Sequence, residues 1–176
     1  MDNILISTYK SPVGEIILGS FQDKLCLCDW QYRKQRAQID SRITKYFNAT
    51  FRESTSSVIQ TTEEQLNAYF NREIEAFDIP MSFAGTVFQE KVWNALIDIP
   101  YGKTMSYLSL SKALGDAKAI RAVATANGAN ALSIIVPCHR IIGSDGSLAG
   151  YAGGLSAKKK LLKLEKSFPP EQLELF

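Results

Sequence analysis

Residues 106–128 read SYLSLSKALGDAKAIRAVATANG, and this stretch decides the character of the second half of the chain. It holds two short helical segments, about Ser106 to Leu114 and about Ala117 to Asn127-Gly128, with Gly115 between them and Gly128 as the expected cap. Two short helices joined by a tight glycine-containing turn predict a helix-turn-helix. At 3.6 residues per turn, Ala122, Thr125, Ala126 and Ala129 share one face of the second helix, while Ile120, Val123 and Ala124 share the other. The second set is expected inside. The first set permits close approach to a partner, and a minor groove about 6 Å wide admits a helix only with small side chains or with widening. Arg121 stands at the helix start, where a guanidinium reaches phosphates or enters a base stack. Tight packing and alanine's helix propensity would produce the same pattern, so the stripe alone decides nothing.

Downstream, Ser133-Ile134-Ile135-Val136-Pro137-Cys138-His139-Arg140 reads as an apolar strand ending in a reactive tetrapeptide. A cysteine nucleophile acts as the thiolate, which a neighbouring imidazole and guanidinium favour. His139 is the only histidine. Neighbours on a strand face opposite ways, so contact between Cys138 and His139 needs a turn or a bridging water. A base also needs orienting, and Glu165 is the candidate carboxylate, carried by a predicted helix from Ser156 to Lys166 that Leu161, Leu162 and Leu164 bring onto the core. Between them, Gly150-Tyr151-Ala152-Gly153-Gly154 forms a loop able to close over a flat ring. The competing reading of any cysteine is a buried inert thiol, which suits Cys26 and Cys28. A lone histidine and the lack of a Cys-x-x-Cys pair argue against a metal site. No glycine-rich phosphate loop of nucleotide-binding type is present.

Upstream, Thr86-Val87-Phe88-Gln89 resembles a capping box, opening a helix with Val92, Trp93, Leu96 and Ile97 on its apolar stripe and Pro100-Tyr101-Gly102 as its stop. Composition changes just before it. Residues 1–80 hold 9 basic and 11 acidic side chains, net −2, whereas residues 81–176 hold 11 and 7, net +4. The first part predicts strands at Ile4-Leu5-Ile6, Ile16-Ile17-Leu18 and Leu25-Cys26-Leu27-Cys28-Asp29-Trp30, the first two joined through Ser11-Pro12-Val13-Gly14. A helix follows from Arg33 to Phe47, then a loop over 48–60. A capping box at Thr62-Glu63-Glu64-Gln65 opens a helix to about Asn71, and a short strand covers Phe77-Asp78-Ile79-Pro80. The expected organisation is an α/β domain over 1–80, a small antiparallel sheet with helices. A mainly α-helical domain with the helix-turn-helix follows over 81–168, then an extended tail over 169–176 behind Pro169-Pro170.

The whole chain, 176 residues with 45% hydrophobic and 22% charged side chains, excludes collagen-like, low-complexity and wholly disordered classes. No apolar run approaches the roughly 20 residues of a membrane span. Met1-Asp2-Asn3-Ile4-Leu5 lacks the pattern of a secretory signal. The odd count of three cysteines provides no disulfide framework, and a cytoplasmic setting is expected.

These pieces together resemble the O6-alkylguanine-DNA alkyltransferases of the bacterial type. The matching stretches are Gly85-Thr86-x-Phe88-Gln89-x-x-Val92-Trp93, Ile99-Pro100-Tyr101-Gly102-x-Thr104-x-Ser106-Tyr107, Arg121-Ala122-Val123, Val136-Pro137-Cys138-His139-Arg140, Gly150-Tyr151-x-Gly153-Gly154 and Leu161-Leu162-x-x-Glu165. Each is weak alone; their order and spacing are specific. The family usually has proline and glycine where this chain has Ala131 and Ala124.

The resemblance implies a suicide repair protein, a monomer without metal or cofactor. It would bind double-stranded DNA containing O6-alkylguanine through the minor groove, with Arg121, Ala122, Thr125, Ala126 and Tyr107 at the interface. It would flip the lesion and take the alkyl group from O6 of guanine, or O4 of thymine, onto Cys138. His139 would act as base through water, held by Glu165. Arg121 would be the finger that fills the gap, and Tyr107 would turn the phosphate and donate to the departing guanine. Asn130 would brace the turn before the active-site segment, and Tyr107, Cys138, Ile141, Tyr151 and Ala152 would line the pocket.

Three other classes fit less well. A lesion-binding module of the alkyltransferase-like kind lacks the acceptor cysteine that Cys138 supplies. A helix-turn-helix regulator needs base-reading polar side chains on the second helix, and a thiol hydrolase ranks last. The final Gln172-Leu173-Glu174-Leu175-Phe176 resembles the short peptide with which bacterial repair proteins engage the replicative sliding clamp. Gln172, Leu173, Leu175 and Phe176 are its expected contacts.

Overall fold

Ser11 and Gly14 close the first hairpin. The Ser11 hydroxyl donates to the Gly14 carbonyl at 2.6 Å and accepts from the Val13 amide at 3.1 Å. They end β1 (Asp2–Ser11) and begin β2 (Gly14–Phe21). Gln22 and Asp23, both at positive φ, then turn the chain into β3 (Lys24–Trp30). The computed structural model describes residues 1–167, in two units, Met1–Thr86 and the chain from Val87 onward.

In the first unit, α1 (Arg36–Phe47) ends at Asn48, whose left-handed conformation (φ 49) passes the chain directly into β4 (Ala49–Glu53). The sequence pattern predicts a loop here and an antiparallel sheet. Instead β4 pairs parallel to β1, from Asp2↔Ala49 to Ile6↔Glu53, and the sheet is mixed with order β3-β2-β1-β4. The physical reason is the helix. The crossover through α1 makes β4 run in the direction of β3, which is also that of β1, and Thr50, Arg52 and Glu53 give the edge strand too polar a pattern to read as one.

The next helix, α2 (Ser57–Phe70), begins five residues before the expected capping box. Ser56 is its cap, accepting from the Ile59 amide, while Thr62 lies buried inside and donates to the Val58 carbonyl at 2.7 Å. Phe77-Asp78-Ile79-Pro80 forms no strand; a single bridge pairs Met81 with Leu25. Leu25, Cys26, Leu27 and Cys28 are all buried, so β3 is covered on both faces. Burial pushes the Cys26 thiol up to about 12 and raises Cys28 as well, as expected of inert core cysteines.

In the second unit, α3 (Val87–Ile97) precedes β5 (Met105–Ser106), α4 (Tyr107–Ala113), a single 3-10 turn (Ala117–Ala119) and α5 (Ile120–Gly128). Ser106 caps α4 by accepting from the Ser109 amide at 3.0 Å. The helix-turn-helix is present, with Trp93 of α3 donating its indole N–H to the Ala126 carbonyl of α5 at 2.8 Å. Gly128 is the last helical residue and Ala129 the cap, so no left-handed glycine ends α5. The expected strand before Cys138 is absent. Ser133–Val136 is a tight turn with Ile134 at φ 72, followed by a 3-10 turn over Cys138–Arg140, β6 (Ile141–Ile142) and α6 (Leu155–Leu164). Among the described residues no helix is long and apolar enough to cross a membrane.

Candidate functional site

Two short strands assemble the site. Met105 pairs with Ile141 and Ser106 with Ile142, in parallel, so the start of β5 lies beside the turn that precedes β6, and Tyr107 follows β5 as the first residue of α4. That turn is Cys138-His139-Arg140, all buried, with Cys138 3% exposed and His139 0%. A helical turn here, in place of the expected strand, removes the opposite-facing geometry that separates neighbours on a strand.

Asn130 holds the approach to the turn. Its side-chain amide donates to the Val136 carbonyl and accepts from the Leu132 amide, both at 2.9 Å. Between those anchors sits Ile134, a buried β-branched residue in the left-handed region, a conformation costing of order 1–3 kcal/mol that persists only where surrounding contacts over-determine it.

Glu165 reaches the turn from the end of α6. Its Oε1 lies 2.8 Å from His139 Nε2, and Arg140 grips the same carboxylate through Nε at 3.0 Å and Nη2 at 2.9 Å. Burial alone would raise the Glu165 pKa, but His139 and Arg140 outweigh it and hold it at about 2. Burial lowers the His139 pKa, more than Glu165 raises it, so the ring is neutral at pH 7. An ionised carboxylate can only accept, so Nε2 carries the proton and donates to Glu165. Nδ1 is left as a lone pair, buried and without a hydrogen-bond partner among the described residues. The arrangement is a base with a defined basic atom.

Arg140 has a different place from the one its position beside Cys138 suggested. Its guanidinium is directed to Glu165, to the Ile99 carbonyl (2.6 Å) and over the Tyr101 ring (5.8 Å), so it supports the carboxylate. The cation whose charge is felt by the thiol is Lys158, which no sequence motif singles out. It is fully buried and donates to the carbonyls of Ile141 (2.5 Å), Ala149 (2.8 Å) and Gly150 (3.4 Å). Burial lowers its pKa to about 8, partly offset by the Cys138 charge. A signal existed. Ala157, Lys158, Leu161, Leu162 and Glu165 occupy the buried stripe of α6, and a lysine at a core position two turns before a core glutamate marks a buried ionic site.

The end of α6 is set from outside by the stop after α3. Tyr101 donates to the Leu164 carbonyl at 3.2 Å, and Gly102, at φ 78, lies so close that a Cβ there would stand 3.2 Å from the Glu165 carbonyl. Around the thiol, Tyr107 is half-buried, its phenol pKa raised by burial and then by the Cys138 charge. Ile141 is buried, and the Tyr151 ring meets the His139 ring edge-on at 6.4 Å, with half-buried Ala152 next to it.

Arg121, Ala122 and Thr125 are exposed on α5, but Ala126 is 3% exposed and packs inward with its carbonyl on Trp93. The inner face is Val123, Ala126 and Asn127, while Ile120 is exposed. The stripe of small residues is therefore rotated relative to the expectation. Only two of its members, Ala122 and Thr125, are fully on the outside; the packing of α5 on α3 sets this, and helical spacing alone did not. The tail Gln172, Leu173, Leu175 and Phe176 lies outside the described residues.

Two family models match the chain, 6-O-methylguanine DNA methyltransferase, ribonuclease-like domain, over residues 4–83 and 6-O-methylguanine DNA methyltransferase, DNA binding domain, over residues 87–167. A methylated-DNA–protein-cysteine methyltransferase of Mycobacterium tuberculosis is 52% identical over 172 residues, 96% of each chain. One from Methanosarcina acetivorans is 42% identical over 160 residues, 90% of this chain and 96% of its own. Among solved structures, Mycobacterium tuberculosis OGT in complex with DNA superposes with a TM-score of 0.78 at 36% identity, covering 99% of both chains.

Proposed function

This chain belongs to the methylated-DNA–protein-cysteine methyltransferase family, and from that premise we propose that Cys138 is the residue that accepts the alkyl group. The protein is a DNA-binding repair enzyme that moves an alkyl group from DNA to its own cysteine. The observation that carries the assignment to Cys138 is the buried array beside it, His139 with its proton on the Glu165 side and Nδ1 vacant as a base.

In this reading Nδ1 takes the thiol proton through a water, and the thiolate is held by the Lys158 ammonium. Sulfur attacks the alkyl carbon; the S–C bond forms as the C–O6 bond breaks, and the guanine leaves as its anion. Tyr107 donates a proton to it. The product is a thioether, which water does not cleave, so each protein acts once, with no cofactor consumed. Arg121 enters the stack as the damaged guanine, or an O4-alkylthymine, rotates out, at a cost of a few kcal/mol in stacking and pairing. Ile141, Tyr151 and Ala152 enclose the base, and Ala122 and Thr125 face the groove. Incubating the protein, a monomer in this reading, with an O6-methylguanine duplex and weighing the tryptic peptides tests the assignment. The Cys138 peptide gains one CH2, and an increment on any other peptide refutes it.

Two further outcomes follow from the same reading. Removing the Lys158 charge as Lys158→Met takes away the cation that favours the thiolate. The pH midpoint for iodoacetamide alkylation of Cys138 is then expected to move up by about a unit, the size of shift a nearby charge produces, with transfer slowed roughly tenfold at pH 7; an unmoved midpoint would remove Lys158 from the mechanism. Deleting 172–176 is expected to abolish binding to the bacterial sliding clamp while transfer on short duplexes stays unchanged. Retained clamp affinity would dismiss the tail as a clamp ligand.

A further inference from the structure

Helix α6 ends at Leu164, and the last four carbonyls of a helix have no partner inside it. Three of the four are met by the residues that follow. Leu161 accepts from the Glu165 amide at 3.0 Å, Leu162 from that of Ser167 at 3.0 Å, and Lys163 from that of Lys166 at 3.1 Å. The fourth, Leu164, accepts from the Tyr101 hydroxyl at 3.2 Å, across 63 positions of sequence. The peptide so held is the one that carries the Glu165 amide, so the bond fixes the backbone immediately before the carboxylate. Lys166 stands at φ 52, where glycine fits best, so the turn that closes α6 is strained on its own and gains from an outside hold.

The same tyrosine has a second hold. Its ring lies 5.8 Å from Arg140 Cζ, under the guanidinium, and the Ile99 carbonyl two residues earlier accepts from Arg140 Nη1 at 2.6 Å. Arg140 in turn donates to Glu165 through Nε and Nη2, at 3.0 and 2.9 Å. Tyr101 thus bears on both supports of the carboxylate, its backbone and its guanidinium. We infer that Tyr101 is a positioning residue for the transfer reaction, holding Glu165 where it keeps the His139 proton on Nε2 and leaves Nδ1 as the base. The inference rests on the proposed base role of His139 and carries it one step further. A neutral imidazole has a single ring proton, and the nitrogen with an acceptor keeps it. Glu165 Oε1, 2.8 Å from Nε2, is that acceptor. When the carboxylate draws back, the proton is free to settle on Nδ1, and the ring then has no lone pair on the atom that takes the thiol proton.

The test uses the untagged chain, whose only histidine is His139, so its imidazole nitrogen-15 signals need no assignment. At pH 7 the parent should show Nε2 protonated and Nδ1 bare. Tyr101→Leu removes both hydroxyl and ring. Its two nitrogen signals are expected to move toward each other as the second tautomer is populated, and single-turnover transfer with an O6-methylguanine duplex to slow roughly 10- to 100-fold. Tyr101→Phe keeps the ring under Arg140 and loses only the hydroxyl. It should move the signals less and slow transfer roughly 2- to 10-fold, the range for one neutral hydrogen bond, and it carries both measurements if the leucine variant folds poorly. A merely structural role lowers the urea midpoint but leaves the tautomer and the transfer rate of the folded protein at the parent's values. Unmoved His139 signals in both variants, or unslowed transfer in Tyr101→Leu, overturn the inference. A His139→Gln protein as fast as the parent overturns instead the base role on which it rests, and the nitrogen-15 signals tell the two failures apart.

Discussion

Cys138→Ser is expected to bring alkyl transfer to background while leaving affinity for an O6-methylguanine duplex within about twofold, since the nearly isosteric hydroxyl leaves the exposed side chains of α5 untouched. The two side chains differ by one atom, and the site is built around that atom's acidity. A thiol ionises near pH 8.5 and a neighbouring ammonium such as Lys158 favours the anion, whereas a serine hydroxyl stays protonated beside a neutral imidazole. The hydroxyl also fits the space, so the 3-10 turn of Cys138-His139-Arg140 persists. The peptide mass checks transfer, and gel shift with the lesion duplex checks binding. Transfer surviving in the serine protein would move the acceptor elsewhere, and the two remaining cysteines, Cys26 and Cys28, are buried in β3 with raised thiol pKa values.

The second large effect is on stability and concerns Glu165. Its carboxyl is held at about 2 against an ordinary 4.5. A carboxyl lowered in the folded state contributes stability that is fully present above its unfolded pKa and is lost as pH falls through the folded one. As pH falls from 4.5 towards 2 the domain from Val87 onward should therefore lose stability, on the order of a few kcal/mol for the Glu165, His139 and Arg140 cluster as a whole. Glu165→Gln removes that pH dependence. It also leaves the Arg140 guanidinium buried without its counter-charge, at a cost of about 3–5 kcal/mol at neutral pH. Transfer should fall as well, about 10²-fold or more, because the His139 ring loses the carboxylate that fixes its tautomer. Urea unfolding followed at Trp93 in a Trp30→Phe background, from pH 7 to pH 2.5, measures the first two effects. A midpoint with the same pH slope in the parent and in Glu165→Gln would show that the ion pair contributes nothing.

Much of the site was legible because it is local. Pro137-Cys138-His139-Arg140, Arg121 and the helix-turn-helix each lie within one element or one turn, where spacing translates directly into position. Glu165 was legible at one remove, since an acidic residue on the leucine face of a helix must be paired where it is buried. Errors gathered where the answer depended on a distant partner. β4 reads as a loop because an edge strand is paired on one side only and keeps polar side chains. Ser133–Val136 reads as a strand because its apolar content is that of a buried strand, yet Asn130 ties it into a turn.

What the chain's order of residues determined without help is the chemistry on offer: one histidine next to a cysteine, a carboxylate on a core face, small residues after an arginine, and a glycine-rich loop after the cysteine. What only the folded molecule decided is which groups meet. Arg140 went to the carboxylate, Lys158 went to the carbonyls of Ile141 and Ala149 as a buried cation, and Ala126 turned inward. The reason is that helical and strand periods fix directions only within an element, whereas charge neutralisation and burial are settled between elements far apart in sequence. A buried cation goes to the nearest acceptors the packing provides, and no local spacing encodes their distance.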